Sequence, residues 1–198
     1  MKKHRLVAAV VLLALALLVP LALRAGEGAA EEAQAAPDSA KIERGHYLVL
    51  LMGCNDCHTP WQMGENGPEP DMTRMLSGHP QDIVITAGAK TPEAPWDTTV
   101  TSTFTAWSGG FGTSFTRNLT PDDETGLGTW SEQEFIDTIR NGRSRGIGRE
   151  LLPPMPWPTY RNATDEDLAA IFAYLQSIPA VSNRVPDPLP PPAAPPAE

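Results

Sequence analysis

Apolar positions along the 198-residue chain change their period several times, and each change predicts a different element. Residues 6–23 are apolar and uncharged, and they follow Lys2, Lys3 and Arg5. A basic start before such a run predicts an export segment over residues 1–25. It is either a signal peptide or an N-terminal membrane anchor, because the run is just long enough to span a bilayer. The Lys/Arg excess puts the N-terminus in the cytoplasm and the body outside. Residues 26–37, rich in Ala and Glu, predict a linker. From Asp38 or Ser39 the period becomes helical. Ile42, Tyr47, Leu48, Leu51 and Met52 predict one apolar face on a helix reaching about Gly53.

Residues 61–116 hold no helical period. Gly64, Gly67, Pro68 and Pro70 predict turns, and the β-branched stretches 82–87 and 98–105 predict short strands. Trp96, Phe104, Trp107, Phe111 and Phe115 lie among them. The helical period returns at Ser131-Glu132-Gln133-Glu134, a capping box that opens a helix to about Gly142, with Phe135, Ile136 and Ile139 inside. Thr164 caps another helix, with Asp165, Glu166 and Asp167 at its positive end. Leu168, Ile171, Phe172 and Leu175 form its inner face, and Ala169, Ala170 and Ala173 permit close approach by a second helix. Residues 38–186 are read as one domain and residues 187–198 as a Pro-rich tail.

Composition adds two constraints. The chain is 41% hydrophobic, enough for a core, while 21 prolines and 16 glycines favour loops over long regular elements. The net charge is −9, yet from Gly26 onward there are 11 basic and 24 acidic residues. Such an acidic body excludes a nucleic-acid binder and suits steering toward a basic protein face.

The candidate chemistry sits at Cys54-Asn55-Asp56-Cys57-His58, which holds both cysteines of the chain. C-x-x-C-H is the attachment signature of a c-type haem. Two thiols three positions apart on one helical turn can bond both vinyl groups of a porphyrin, and the following imidazole faces the iron. A zinc site needs further ligands at matching spacing, and His46 and His79 do not supply the pattern. A thioredoxin-like dithiol needs a βαβ unit, which the pattern lacks. His58 needs a hydrogen-bond acceptor for its second nitrogen, and a carbonyl near Gly67-Pro68 is the expected one. The sixth iron position is open to Met155, to His79 or to no ligand; Met155, flanked by prolines between two helices, is the leading candidate. No Ser–His–Asp set, phosphate loop or paired-carboxylate site is visible.

In order, the chain reads helix, C-x-x-C-H-T-P, N-L-T-P-D, T-G-x-G-x-W, helix, R-x-G, L-P-x-M-P and D-L-A-A-I-x-A-Y-L-x-S-I-P. This order resembles the bacterial class I c-type cytochromes. It is most similar to the cytochrome subunits of membrane-bound alcohol and aldehyde dehydrogenases. The resemblance implies an all-α fold around one covalent haem c at Cys54 and Cys57, with a long loop and short-strand insertion. It implies His58 and Met155 as axial ligands and the first helix crossing the last. It also places Asn118 and Trp130 near the haem propionates, with Arg143 or Arg145 paired to them. The implied function is single-electron transfer between redox proteins in the periplasm or at the outer face of the cytoplasmic membrane, without catalysis by the chain itself. The alternatives are a haem enzyme or gas sensor with a labile sixth ligand, or a cytochrome subunit of a dehydrogenase or oxidase complex. The dehydrogenase subunits carry three C-x-x-C-H sites and this chain one.

Overall fold

The computed structural model describes residues 39–89 and 95–191. The expected export segment and linker therefore lie outside the described residues, as do residues 192–198. Among the described residues no helix is long and apolar enough to cross a membrane.

Helix α1 covers residues 39–51, and Gly53, at φ 66°, turns the chain into the short helix α2 (Cys54–His58). A left-handed residue breaks the helix there, which is why the motif lies on its own turn and not on the end of α1. The buried face of α1 is set by Gly45, Leu48 and Val49, whereas Tyr47 and Leu51 are more than half exposed. The observed face is thus rotated by about one position from the expected one, because Gly45 carries the contact. A Cβ at Gly45 would stand 1.9 Å from the Ala170 carbonyl oxygen, so backbone meets backbone there.

Helix α3 (Glu132–Asn141) starts as the capping box requires. Glu134 N donates to Ser131 Oγ at 3.2 Å, and Ser131 N donates to Glu134 Oε2 at 2.9 Å. It stops at Gly142, whose φ of 65° is left-handed and whose N–H donates to Thr138 O. The short helix α4 (Trp157–Tyr160) lays the Trp157 ring against Gly142. Helix α5 (Asp165–Ser177) is capped by Thr164, whose hydroxyl accepts from Asp167 N. Phe135 and Phe172 pack with ring centroids 5.5 Å apart. Leu48, Val49, Ile136, Ile139, Leu168 and Leu175 complete the main core, each worth about 1.5–3 kcal/mol when buried.

Residues 61–116 hold all the strands among the described residues, so the fold is helical with a β insertion rather than purely α. β1 (Trp61–Gly64) and β2 (Gly67–Pro70) form a hairpin in the register Trp61↔Pro70. β3 (Thr98–Val100), β4 (Ala106–Gly109) and β5 (Gly112–Phe115) form an antiparallel meander. The strand expected at 98–105 ends at Val100, because Phe104 adopts φ 56° and turns the chain back. Residues 82–87 form no strand: no neighbouring edge pairs with them, and Ile83 N instead closes a turn onto Pro80 O.

The chain does not leave the body at residue 186. Leu189 and Thr113 exchange two backbone bonds of 2.9 and 3.0 Å, and Val185 is buried with Ala106 and Phe115 in a second small core. Asn183, also buried, donates to the carbonyls of Ser77 and His79.

Candidate functional site

Segment 76–79 of the insertion organises the site. Gly78 N donates to His58 O at 2.8 Å, His79 N to Thr116 O at 2.9 Å, and Leu119 N to Leu76 O at 2.8 Å. A Cβ on Gly78 would stand 2.5 Å from Thr116 O, so only glycine admits this approach. The result seats residues 116–119 beside His58. His58 Nδ1 lies 2.7 Å from the Arg117 carbonyl oxygen. A carbonyl only accepts, so Nδ1 carries the hydrogen and Nε2 keeps the lone pair. The acceptor expected near Gly67-Pro68 is therefore Arg117. Gly67 and Pro68 are paired in the β hairpin, and the 76–79 segment brings residues 116–119 to His58 instead. Burial pushes the His58 pKa below its ordinary 6.5, partly offset by the bond to Arg117, so the ring is neutral at pH 7.

The neighbouring residues hold the motif in place. Trp61 Nε1 donates to Asp56 O at 3.2 Å, and Thr59 Oγ1 to Asn55 Oδ1 at 2.9 Å. Burial pushes the Cys54 thiol up to about 12, with Asp56 adding to it, and raises Cys57 in the same way. Reactive dithiols and zinc ligands depend on stabilised thiolates, and these two are stabilised as thiols.

A cavity of about 610 Å³ opens beside the motif. Cys54, Cys57, His58, Met155, Asn118 and Trp130 all border it, so the structure brings the six residues singled out in sequence to one place. Leu127, Phe135, Ile139, Leu168, Ile171 and Leu175 make much of its wall apolar. Met155 arrives on the loop before α4, and Ser114 Oγ pins that loop by donating to Pro153 O at 2.7 Å. His79 does not border the cavity. It is fully buried, with Nδ1 on Thr105 Oγ1 and Nε2 on Ile83 O, both at 2.9 Å. His46 is exposed and lies against Tyr174.

The remaining expectations divide. Trp130 stacks under Arg145, whose guanidinium lies 4.8 Å from the ring centroid and also binds Glu134 and Thr129. Arg143 pairs with Glu150 and does not border the cavity. Asn118 borders it, but both amide hydrogens are engaged, on Val181 O at 2.8 Å and Thr125 Oγ1 at 3.1 Å. Its oxygen accepts twice from Thr120. Two cations at the cavity were not singled out by the sequence pattern: Arg117 and Arg149. Desolvation lowers both pKa values, their like charges repel, and Asp187 is the one acid bearing on both. Neither forms a salt bridge among the described residues. No local pattern signals Arg117; Arg149 follows Arg140, Arg143 and Arg145 in the sequence, and no period marks which of the four turns inward.

The cavity fits a haem. Its volume lies in the cofactor range of roughly 300–1,000 Å³, and its wall is largely apolar. Its donors are two thiols, one neutral imidazole and one thioether, and two under-compensated guanidiniums suit anionic propionates.

No family model matches the chain. It is 45% identical over 148 residues to a subunit of nicotinate dehydrogenase from Pseudomonas putida, covering 75% of this chain and 9% of that protein. It is 41% identical over 137 residues to the cytochrome c subunit of gluconate 2-dehydrogenase from Pantoea cypripedii, covering 69% and 23%. It is 28% identical over 153 residues to the cytochrome c subunit of a quinone-dependent alcohol dehydrogenase from Gluconobacter oxydans, covering 76% and 24%. The chain thus spans about a tenth to a quarter of the length of these curated relatives. Two of these relatives are named as cytochrome c subunits, in agreement with the donor set at the cavity, and the chain is related to such cytochrome subunits of dehydrogenases.

Proposed function

We propose that this chain is a class I cytochrome c domain with one covalent haem, passing single electrons between redox proteins on the periplasmic side of a bacterial membrane. The observation that carries the reading is the meeting of Cys54, Cys57, His58 and Met155 at one cavity. In this reading Cys54 and Cys57 would hold the haem as thioethers, and His58 and Met155 would supply the ligands to its iron. When bound, the haem supplies a one-electron iron couple, which a methionine ligand keeps at raised potential. The chain's own residues hold and tune it. Arg117 O fixes the His58 tautomer, the Ser114–Pro153 bond steadies the methionine loop, and Arg117, Arg149 and Trp130 border the cavity, where the two guanidiniums would pair with the cofactor's carboxylates. With His58 and Met155 both given to the iron, the site would offer a substrate no ligand position, which favours electron carriage over catalysis.

A haem-stained gel and a pyridine haemochrome of the protein expressed with its export segment test attachment, with one haem per chain expected. The near-infrared sulfur-to-iron band should be present and should vanish in Met155→Ala. Ready binding of carbon monoxide by the unmutated ferrous protein would instead indicate a haem enzyme or gas sensor with a labile sixth ligand. Residues 1–25 are proposed to export the chain, as a signal peptide or as an anchor. Recovery of the haem-loaded protein in the cytoplasm would overturn that.

The relatives' names favour a second reading, in which the chain works as a bound cytochrome subunit of a dehydrogenase complex and not as a free carrier. Its partner would then be a dehydrogenase that co-purifies after gentle extraction. A clean monomer under those conditions leaves the free carrier.

A further inference from the structure

His79 lies outside the cavity, yet one ring separates it from the cavity. Its imidazole packs on Phe115 with centroids 4.9 Å apart, and Phe115 borders the cavity. The imidazole is fully buried, which ordinarily isolates a histidine from the solvent proton pool. Here it is not isolated. His79 Nδ1 meets Thr105 Oγ1 at 2.9 Å, Thr105 Oγ1 meets Thr103 Oγ1 at 2.7 Å, and Thr103 Oγ1 meets Thr101 Oγ1 at 2.9 Å. Thr105 is buried, whereas Thr103 and Thr101 are partly exposed, so the file of hydroxyls runs from the ring to the surface.

The file closes in either direction. Nε2 donates to the Ile83 carbonyl, so in the neutral ring Nδ1 accepts from Thr105. Thr105 then accepts from Thr103, Thr103 from Thr101, and Thr101 from Ala106 N at 3.2 Å. When Nδ1 is protonated, every hydroxyl turns round: Nδ1 donates to Thr105, and the file ends with Thr101 donating to Ala106 O at 3.4 Å. In each state every hydroxyl of the file both donates and accepts. A histidine that serves packing alone has no need of an arrangement satisfied in both protonation states.

We infer that His79 is a buried proton site coupled to the electron at the cavity, with Thr105, Thr103 and Thr101 as its proton path. The inference rests on the one-electron reading above. An electron delivered to the cavity by a redox partner adds negative charge beyond Phe115. A proton taken from water at Thr101 passes along the hydroxyls, each giving one hydrogen and receiving another, and ends on Nδ1. Loss of the electron reverses the transfer. Few other charges face the ring. On its own segment Asp82 raises its proton affinity and is itself near Arg74. The sheet offers threonine hydroxyls and Phe115, and from the C-terminal segment the uncharged amide of Asn183 meets the His79 backbone carbonyl. Burial outweighs Asp82 and holds the ring neutral at pH 7, so the coupling operates on the acid side of 6.5.

The test uses the full-length haem-loaded protein. The His79 ring resonance is titrated by NMR in the oxidised and the reduced forms, and the midpoint potential is followed with pH. The reduced form should bind the proton about tenfold more tightly, so the potential should rise by ~59 mV on acidification through that range. His79→Gln and Thr105→Val should flatten the acid-side slope with an unchanged visible spectrum, and Thr105→Ser should keep it. A His79 resonance titrating identically in both redox forms overturns the inference, and needs no variant that folds. So does a wild-type slope in His79→Gln. A chain without haem overturns the electron-transfer reading itself; a haem with intact His and Met ligation but no difference in His79 overturns this coupling alone.

Discussion

His58 Nδ1 donates to the Arg117 carbonyl oxygen across 59 residues of chain, so one residue both orients the imidazole and supplies a cation at the same cavity. The two roles separate cleanly, because the carbonyl is backbone and survives substitution of the side chain. Arg117→Ala should therefore leave the absorption spectrum unchanged while lowering the midpoint potential. Positive charge nearby favours the reduced form, so its removal disfavours it. The expected change is at most about tenfold in the electron-exchange equilibrium, ~59 mV, because the site is partly open to solvent. Arg149→Ala should shift the potential the same way and Asp187→Asn the opposite way. Arg143→Ala, whose partner is Glu150, should leave it unmoved. Spectroelectrochemical titration of the four variants checks the ordering, and an Arg143 effect as large as that of Arg117 would refute it.

The contact between α1 and α5 depends on the absence of one methyl group. Gly45→Ala places a carbon 1.9 Å from the Ala170 carbonyl oxygen, and backbone has little freedom to yield. Overpacking of this sort costs about 1–3 kcal/mol. Gly110→Ala meets nothing within 4 Å and should be close to neutral. Urea denaturation of the two variants side by side measures the difference.

Much of this helical frame is visible in sequence, for a physical reason. The capping box at Ser131 and the cap at Thr164 satisfy N–H groups two or three residues away, so their signal is local. The C-x-x-C-H turn and the proline-flanked Met155 are equally local. What stays hidden depends on long-range pairing. The acceptor for His58 is chosen by segment 76–79 lying between residues 58 and 116, and no period or cap marks that arrangement. The rotation of the α1 face arises because a glycine scores as neither apolar nor polar, although Gly45 lies directly against the Ala170 backbone. Residues 187–189 look like part of a free tail because prolines suggest extension. Extension is also what lets Leu189 pair with Thr113.

Acid should weaken the fold through His79. Burial holds its folded pKa below the ordinary 6.5, so the unfolded chain binds more protons between the two values. Stability is therefore complete above about 6.5 and declines as pH falls from there toward the folded pKa. His79→Gln should reduce this part of the acid sensitivity while leaving the carboxylate-driven loss at lower pH. There Asp122 and Glu134, both held below their ordinary values by hydrogen bonds, become protonated. Denaturation midpoints of both proteins between pH 7 and pH 4 give the comparison. Parallel curves throughout would rule out a His79 contribution.

Asn118 separates a structural role from a cofactor role. Its side chain makes four hydrogen bonds, to Val181 O, Thr125 Oγ1, Thr120 N and Thr120 Oγ1, and only 2% of its surface is exposed. An amide has two hydrogens to give, and both are occupied. A direct bond to a propionate would have to displace one of them, leaving the buried Val181 carbonyl or the Thr125 hydroxyl to find another partner. Asn118→Ala should therefore destabilise the protein by about 2–4 kcal/mol, since an unmet buried partner costs about 1–3 kcal/mol and a network loses more than its separate bonds. Haem attachment and the midpoint potential should change little in the protein that still folds. Asn118→Asp would keep the oxygen but lose both donors, and it should be at least as destabilising at neutral pH, when its charge is buried. If Asn118→Ala instead unfolds at the wild-type urea midpoint but shifts the potential, the residue acts on the cofactor and not on the joint between residues 118–125 and the C-terminal segment.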